Sequence, residues 1–286
     1  MSVGLREGAL RLALVAVFCA PWVVQAAPVD SGQSASTSDP SATPAASQSL
    51  WGDKTELTVG MSAVFTPSYD GAAQDRWEPL PVFSIQRGIL FADTTRGVGL
   101  QFQTASGLSM SQSIYYDLGR TDHDSRWRPG GHELAGMGQV PDSYTSKTLV
   151  GQQFTPWFMA SAEAELTLRS GQRRQRYRAG IELTPWKTAK DEISIDVDGH
   201  WGNARFNQAY YGVTALQSSR SGFDAFTPGS GLYAISSGIE WDRTFTPHWG
   251  SVVQLTATHY TDIASDSPIV SSHTGFEVTL ALTYTF

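Results

Sequence analysis

Three things are scarce in this 286-residue chain: cysteine, charge and long apolar runs. The one cysteine, Cys19, excludes a disulfide framework and leaves too few thiolates for a cysteine-ligated zinc site. Charged residues make up 16% of the chain, against about 25% in an average soluble domain. The net charge is −7, which argues against nucleic acid as a partner. Past the N-terminus, no apolar run approaches the roughly 18–20 residues that a membrane helix needs. Yet 41% of the residues are hydrophobic, with 9 Trp, 10 Tyr and 13 Phe. A disordered or collagen-like chain would not carry so many aromatics. The apolar residues are therefore dispersed, and their spacing becomes the informative feature.

The first residues read as an address. Arg6 and Arg11 precede the apolar run Leu12–Val24, and Val24-Gln25-Ala26 places small residues at the −3 and −1 positions of a cleavage site. This is the pattern of a secretory signal peptide over 1–26, and Cys19 lies inside it. Phe18, directly before Cys19, is too bulky for a lipoprotein site. Residues 27–50 are almost wholly Ser, Ala, Pro and Thr, so they read as a flexible tether that cannot bury enough surface to order itself.

From Trp51 onward, apolar residues recur at every second position. Leu57, Val59, Met61, Ala63 and Phe65 form one row against Thr58, Gly60 and Ser62. Phe158, Ala160, Ala162, Ala164 and Leu166 oppose Ser161, Glu163 and Glu165. Such alternation predicts β-strands with one apolar and one polar face. A soluble sandwich and a transmembrane barrel both fit it. Three features favour the barrel. Many segments run 10–14 residues, and a tilted membrane strand needs about 9–11. Trp recurs in Thr155-Pro156-Trp157, Thr184-Pro185-Trp186 and Thr246-Pro247-His248-Trp249, which read either as one recurring turn with an aromatic girdle or as ordinary turn chemistry. Finally, Phe276, Val278, Leu280, Leu282, Tyr284 and Phe286 alternate to a terminal aromatic, similar to the assembly signal of bacterial outer-membrane barrels.

The spacing predicts strands near 54–66, 78–87, 89–103, 107–118, 146–155, 157–169, 174–184, 191–202, 231–244, 248–261 and 273–286. That is eleven, and a single-chain bacterial barrel has an even number, with short periplasmic turns and longer outer loops. Counted back from a periplasmic C-terminus, the connections fit until the N-terminal end, where one strand is missing. A split of 89–103 at Thr94-Thr95-Arg96-Gly97 supplies it. The expected fold is an all-β, antiparallel transmembrane barrel of the bacterial outer membrane over 51–286, with twelve strands, or ten as the fallback.

On the polar faces, Glu163 and Glu165, then Arg174, Arg176 and Arg178, then Asp196 and Asp198 with His200 lie on successive strands. Acidic, basic and acidic rows side by side attract, so a substantially filled lumen is expected, with an ion or substrate pathway as the functional alternative. No catalytic constellation, cofactor site or metal set is evident. Asp122-His123-Asp124 reads as a solvated loop run, and Tyr115, Tyr210 and Tyr211 as structural residues.

Several segments resemble a known family. They are Phe65-Thr66-Pro67-Ser68-Tyr69-Asp70-Gly71 with Pro79-Leu80-Pro81, Arg205-Phe206-Asn207-Gln208-Ala209-Tyr210-Tyr211-Gly212-Val213-Thr214 with Gln217-Ser218-Ser219-Arg220-Ser221-Gly222, Gly231-Leu232, Thr246-Pro247-His248-Trp249, and Asp266-Ser267-Pro268-Ile269-Val270. In order and spacing these are similar to the MipA/OmpV family (MltA-interacting protein) across roughly 54–286. The 27–50 tether departs from it. The resemblance implies a barrel without enzymatic activity that sits in outer-membrane lipid and is inserted by the barrel assembly machinery. It also implies a scaffold that joins a lytic transglycosylase and a murein synthase; a narrow porin-like channel for small solutes is the alternative.

Overall fold

The computed structural model describes residues 51–52 and 54–286; the signal-peptide and tether readings lie outside them. The alternation closes into a ring of twelve antiparallel strands. These are β1 (Thr55–Pro67), β2 (Asp75–Arg87), β3 (Leu90–Asp93), β4 (Gly97–Gln103), β5 (Leu108–Asp117), β6 (Ser143–Thr155), β7 (Phe158–Thr167), β8 (Gln175–Lys187), β9 (Asp191–Gly202), β10 (Gly231–Thr244), β11 (Trp249–Tyr260) and β12 (Thr274–Thr285). Each strand pairs with its sequence neighbours, and β1 closes the ring on β12, from Thr58 opposite Thr285 to Phe65 opposite Val278. Closure matters because a lipid-embedded sheet edge leaves backbone groups without partners.

The missing strand arises where the sequence suggested. Thr94–Arg96 turn the chain between β3 and β4, with Asp93 opposite Gly97. Gly97 takes φ +78, and a Cβ there would stand 2.1 Å from the Ile114 carbonyl oxygen, so the hairpin can approach β5 only with glycine at that position.

Apolar side chains face outward and polar ones inward. On β1, Met61 is 60% exposed, while its neighbour Ser62 is buried and donates its hydroxyl to the Leu80 carbonyl at 3.1 Å. The low charge of the chain follows, since half of each strand meets lipid. Trp157, Trp186 and Trp249 are all exposed at the end that carries the C-terminus, as an interfacial girdle requires. One of the three Thr-Pro-aromatic segments is not a turn. Thr184-Pro185-Trp186 lies inside β8, where the register against β9 shifts between Leu183 and Trp186. Proline cannot donate to the ladder, and here a bulge accommodates it.

Connections at the C-terminal end are short: 88–89, 104–107, 156–157, 188–190 and 245–248. At the other end most are long, and 203–230 holds helices α1 (Ala204–Tyr210) and α2 (Ala215–Ser221), while 261–273 holds α3 (Asp262–Ser265). This asymmetry places the short turns in the periplasm and the long loops outside. Asn203 caps α1 by accepting from the Phe206 amide at 2.8 Å, and Thr214 with Gln217 forms a capping box on α2.

Candidate functional site

The lumen is built by neighbouring strands that present opposite charges at matching heights. Glu163 pairs in register with Arg178 and Glu165 with Arg176 across β7 and β8. Arg176 Nε donates to Glu165 Oε2. Arg178 reaches both ways, 3.4 Å from Glu163 and 3.3 Å from Asp198. Lys147 of β6 adds a third cation, 2.9 Å from Glu165 and 3.4 Å from Glu163. Tyr115 Oη donates to Glu165 Oε2 at 2.8 Å and accepts from Arg176 Nη2 at 3.2 Å. His200 lies 2.8 Å from the Ser236 hydroxyl of β10. A charged ladder therefore runs from β5 to β9. Cross-strand glycine makes room for part of it: a Cβ at Gly180 would stand 1.9 Å from Asp198 Oδ1.

Two of the residues grouped in sequence lie apart from these pairs. Arg174 precedes β8 in the outer 168–174 connection, where Nη2 donates to the Pro141 carbonyl at 2.9 Å. It lies outside the strand because the 168–174 turn consumes it. Asp196 faces the lumen opposite Glu182 and makes no ion pair among the described residues. The sequence does not mark Lys147 and Tyr115 as partners, since a lone Lys and a Tyr in alternating strands carry no signal of their own. Only the register brings them to Glu165.

Above the ladder, the outer loops fold into the barrel mouth. Tyr211 and Val213 of the 203–230 loop, Tyr69 and Ala72 of 68–74, Leu134 and Met137 of 118–142, and Ile269 and Val270 of 261–273 are buried in two adjoining clusters. Tyr69 Oη donates to the Ile269 carbonyl at 3.2 Å, and the amides of Ser271 and Ser272 both donate to the Gly71 carbonyl. Arg120 Nη1 donates to the Tyr210 carbonyl at 2.5 Å. Burial holds the Asp70 carboxyl above its usual range, with Arg176 and Arg120 opposing, and lowers the Arg120 guanidinium. A cavity of about 180 Å³ lies between plug and ladder, lined by Asp70 and Tyr211 from above and by Glu165, Arg178 and Asp198 on its charged wall.

The plug is assembled from the segments around Tyr69, Tyr211 and Ile269 that carried the family resemblance. The family model for MltA-interacting protein MipA matches residues 59–286, from the first strand to the last residue. The chain belongs to the MipA family. It is an outer-membrane β-barrel, and the matched range spans both plug and ladder. Among solved structures, this MipA-family barrel is similar to an outer-membrane channel of Pseudomonas putida F1, at 9% identity over 81% of this chain and 95% of that one, with a TM-score of 0.45. It is also similar to the channel DcaP of Acinetobacter baumannii, at 9% identity over 82% and 96% of the chains and a TM-score of 0.35. A loop-deleted OmpT of Vibrio cholerae gives 5% identity over 82% and 98%, with a TM-score of 0.38. No curated protein matches the chain.

Phe276, Leu280, Leu282 and Phe286 are exposed on the outer face of β12 and its terminus, with Val278 and Tyr284 half-buried in the same row. His123 and His132 sit in the 118–142 loop beside Asp122 and Asp124, at 3.2 and 3.4 Å. Among the described residues, no group of three or more metal-ligating side chains is assembled.

Proposed function

We propose that this barrel is a non-catalytic, non-conducting membrane anchor that docks murein enzymes on the periplasmic side. The observation that carries this reading is the filled lumen: a loop plug at the outer mouth over a ladder in which Lys147, Arg176 and Arg178 are all paired with carboxylates. Such a lumen suits an anchor better than a diffusion pore. The family description, an MltA-interacting protein, supports a lytic transglycosylase as the enzyme held, with a murein synthase as the second partner. The test is binding of purified full-length protein, in detergent, to a purified lytic transglycosylase, with an unrelated barrel as control. Retention above the control is expected, together with no stable conductance steps in planar bilayers. Equal retention by both barrels would remove the docking reading.

A second reading is favoured by the 180 Å³ cavity with its charged lining: a narrow passage for small solutes that opens when the plug moves. Solute-driven swelling of liposomes that contain the protein discriminates the two.

A further inference from the structure

The ring of strands is closed, but its wall is not of even height. β3 has 4 residues and β4 has 7, while their neighbours β2 and β5 have 13 and 10. Only Ser84–Arg87 of β2 pair with β3, and β4 pairs with β5 only as far as Ile114. Above the Thr94–Arg96 turn, Asp75–Val82 of β2 and Tyr115–Asp117 of β5 face each other, and among the described residues no ladder joins them. Where β3 and β4 still separate them, β2 and β5 stand three strand spacings apart, roughly 14 Å. The seam therefore starts at a gap two strands wide. Its top is bounded by the 118–142 loop, where Arg76 Nη1 donates to the carbonyls of Ser125 and Arg128 at 2.9 and 2.7 Å.

The chemistry of the edge indicates what the seam does not admit. Phe83 directs its backbone at the hairpin: its amide donates to Thr94 Oγ1 at 2.7 Å, and its carbonyl accepts from the Thr94 amide at 3.0 Å. Residues at the same parity turn the same edge to the seam, and two of them are Pro79 and Pro81. Neither has an N–H to offer, so the edge is blunted against an added strand. A peptide that extends the sheet is disfavoured.

What the frame presents is lipid on one side and the cavity on the other. Trp77 and Phe83 of β2, Val98 of β4, and Ile114 and Tyr116 of β5 are exposed and outward-facing. Behind the seam, Leu80 is buried and lumen-facing, with Val82 next in its row. Thr95 at the sill and Tyr115 on the far jamb both line the charged cavity, so the cavity extends to the seam. Apolar surface outside, a threshold of Leu80 and Val82 below the paired Arg76 and Glu78, and a small polar chamber inside match one class of molecule: a polar head on a single apolar chain. A chamber of about 180 Å³ leaves little room for a two-chain lipid.

We propose that the seam between β2 and β5 is a side portal through which a single-chain amphiphile passes between the membrane and the lumen cavity. The tail crosses over Leu80 and Val82 while the head enters the cavity beside Thr95 and Tyr115. The portal is independent of whether the periplasmic face docks an enzyme.

The full-length protein in phosphatidylethanolamine and phosphatidylglycerol vesicles tests this by photolabelling. One arm carries diazirine-bearing palmitic acid; the other carries a phospholipid with the same diazirine chain. In the palmitic acid arm, adducts are expected on the lumen-facing Leu80, Val82, Thr95 and Tyr115 at levels within about twofold of the lipid-facing Phe83. Ser194 and Glu240, lumen-facing on the opposite wall, are expected to label at least tenfold less. Excess unlabelled palmitic acid should suppress the seam adducts and spare Phe83. The phospholipid should label outward residues only. Labelling confined to outward residues in both arms would overturn the portal, and equal labelling of the seam by the phospholipid would overturn the single-chain assignment.

Discussion

The Ser267 hydroxyl donates to the Tyr211 carbonyl at 2.5 Å, and both residues are buried. This bond fastens the 261–273 loop to the 203–230 loop. The Tyr211 hydroxyl in turn reaches Asp70 of the 68–74 loop at 3.5 Å. Three outer loops thus converge on one residue, Tyr211, through its carbonyl and its hydroxyl. Replacing a large buried aromatic by alanine costs about 3–5 kcal/mol. Tyr211→Ala is therefore expected to loosen the plug while the strands persist. The variant should keep the heat-modifiable gel mobility of a folded barrel and show conductance in planar bilayers where the wild type shows none. Tyr211→Phe, which keeps the ring, should remain closed.

In the lumen, Glu165 is the carboxylate shared by Lys147, Arg176 and Tyr115. Removing one partner of a buried pair costs about 3–5 kcal/mol, because the remaining charges lose compensation. Glu165→Gln is expected to lower the unfolding temperature in detergent. The double variant Glu165→Gln/Arg176→Gln should recover part of that loss. If the double variant shows the summed loss of the two single variants, the pair is not coupled.

The plug should respond to pH through Asp70. Burial raises its carboxyl from the ordinary 3.8, against Arg176 and Arg120, while Tyr211 and Asp117 are its other close titratable neighbours. The folded loop therefore favours the protonated form. Stability is gained as pH falls through the raised folded value towards 3.8, and that gain is absent well above it. Asp142, at the outer end of β6, works in the opposite sense. The Tyr116 hydroxyl chiefly holds its carboxyl below 3.8, so its contribution is present above that pH and is lost below it. Hydrogen exchange of the 68–74 amides, corrected for intrinsic rate, should slow as the pH is lowered from neutral towards 3.8, giving a difference between the two ends of the range. In Asp70→Asn the difference should vanish.

The prolines on the β2 edge should keep the barrel monomeric at that edge. Pro79→Val/Pro81→Val restores two donors facing the seam. The double variant is expected to form dimers that resist mild detergent and cross-link through β2, whereas the wild type should not. A monomeric double variant would show that the 118–142 loop alone protects the edge.

The terminal strand should govern assembly. Phe286 ends the outward row of β12, its amide donates to the Leu57 carbonyl at 2.9 Å, and its ring meets Tyr284 edge-on at 4.8 Å. Deletion of Phe286 is expected to lower the fraction of heat-modifiable, folded barrel in the outer membrane several-fold. Unchanged assembly would show that the row from Phe276 to Tyr284 suffices.

The period of two dictates strands with one apolar and one polar face, because side chains that alternate between lipid and lumen leave a mark at every second residue. Met61 against Ser62, and Ala164 against Glu165, show it directly. Strand length, the Trp-bearing strand ends and the terminal aromatic row turned those strands into a barrel wall. The sequence also carried the family, the segregation of short and long connections to opposite ends, and the site of the twelfth strand, since a turn at Thr94–Arg96 announces itself locally. Other features depend on which residue lies across the ring. Lys147 became a partner of Glu165 through the β6–β7 register, and Arg174 was carried out of the ladder by its turn. The plug joins Tyr69, Tyr211 and Ile269, residues up to 200 positions apart, and the Tyr69–Ile269 bond is one of its ties. The seam needs four strand lengths and the parity of two prolines at once. Periodicity reports only how each residue faces its own sheet. Partners, plug and portal are set by closure of the ring, which only the tertiary structure decides.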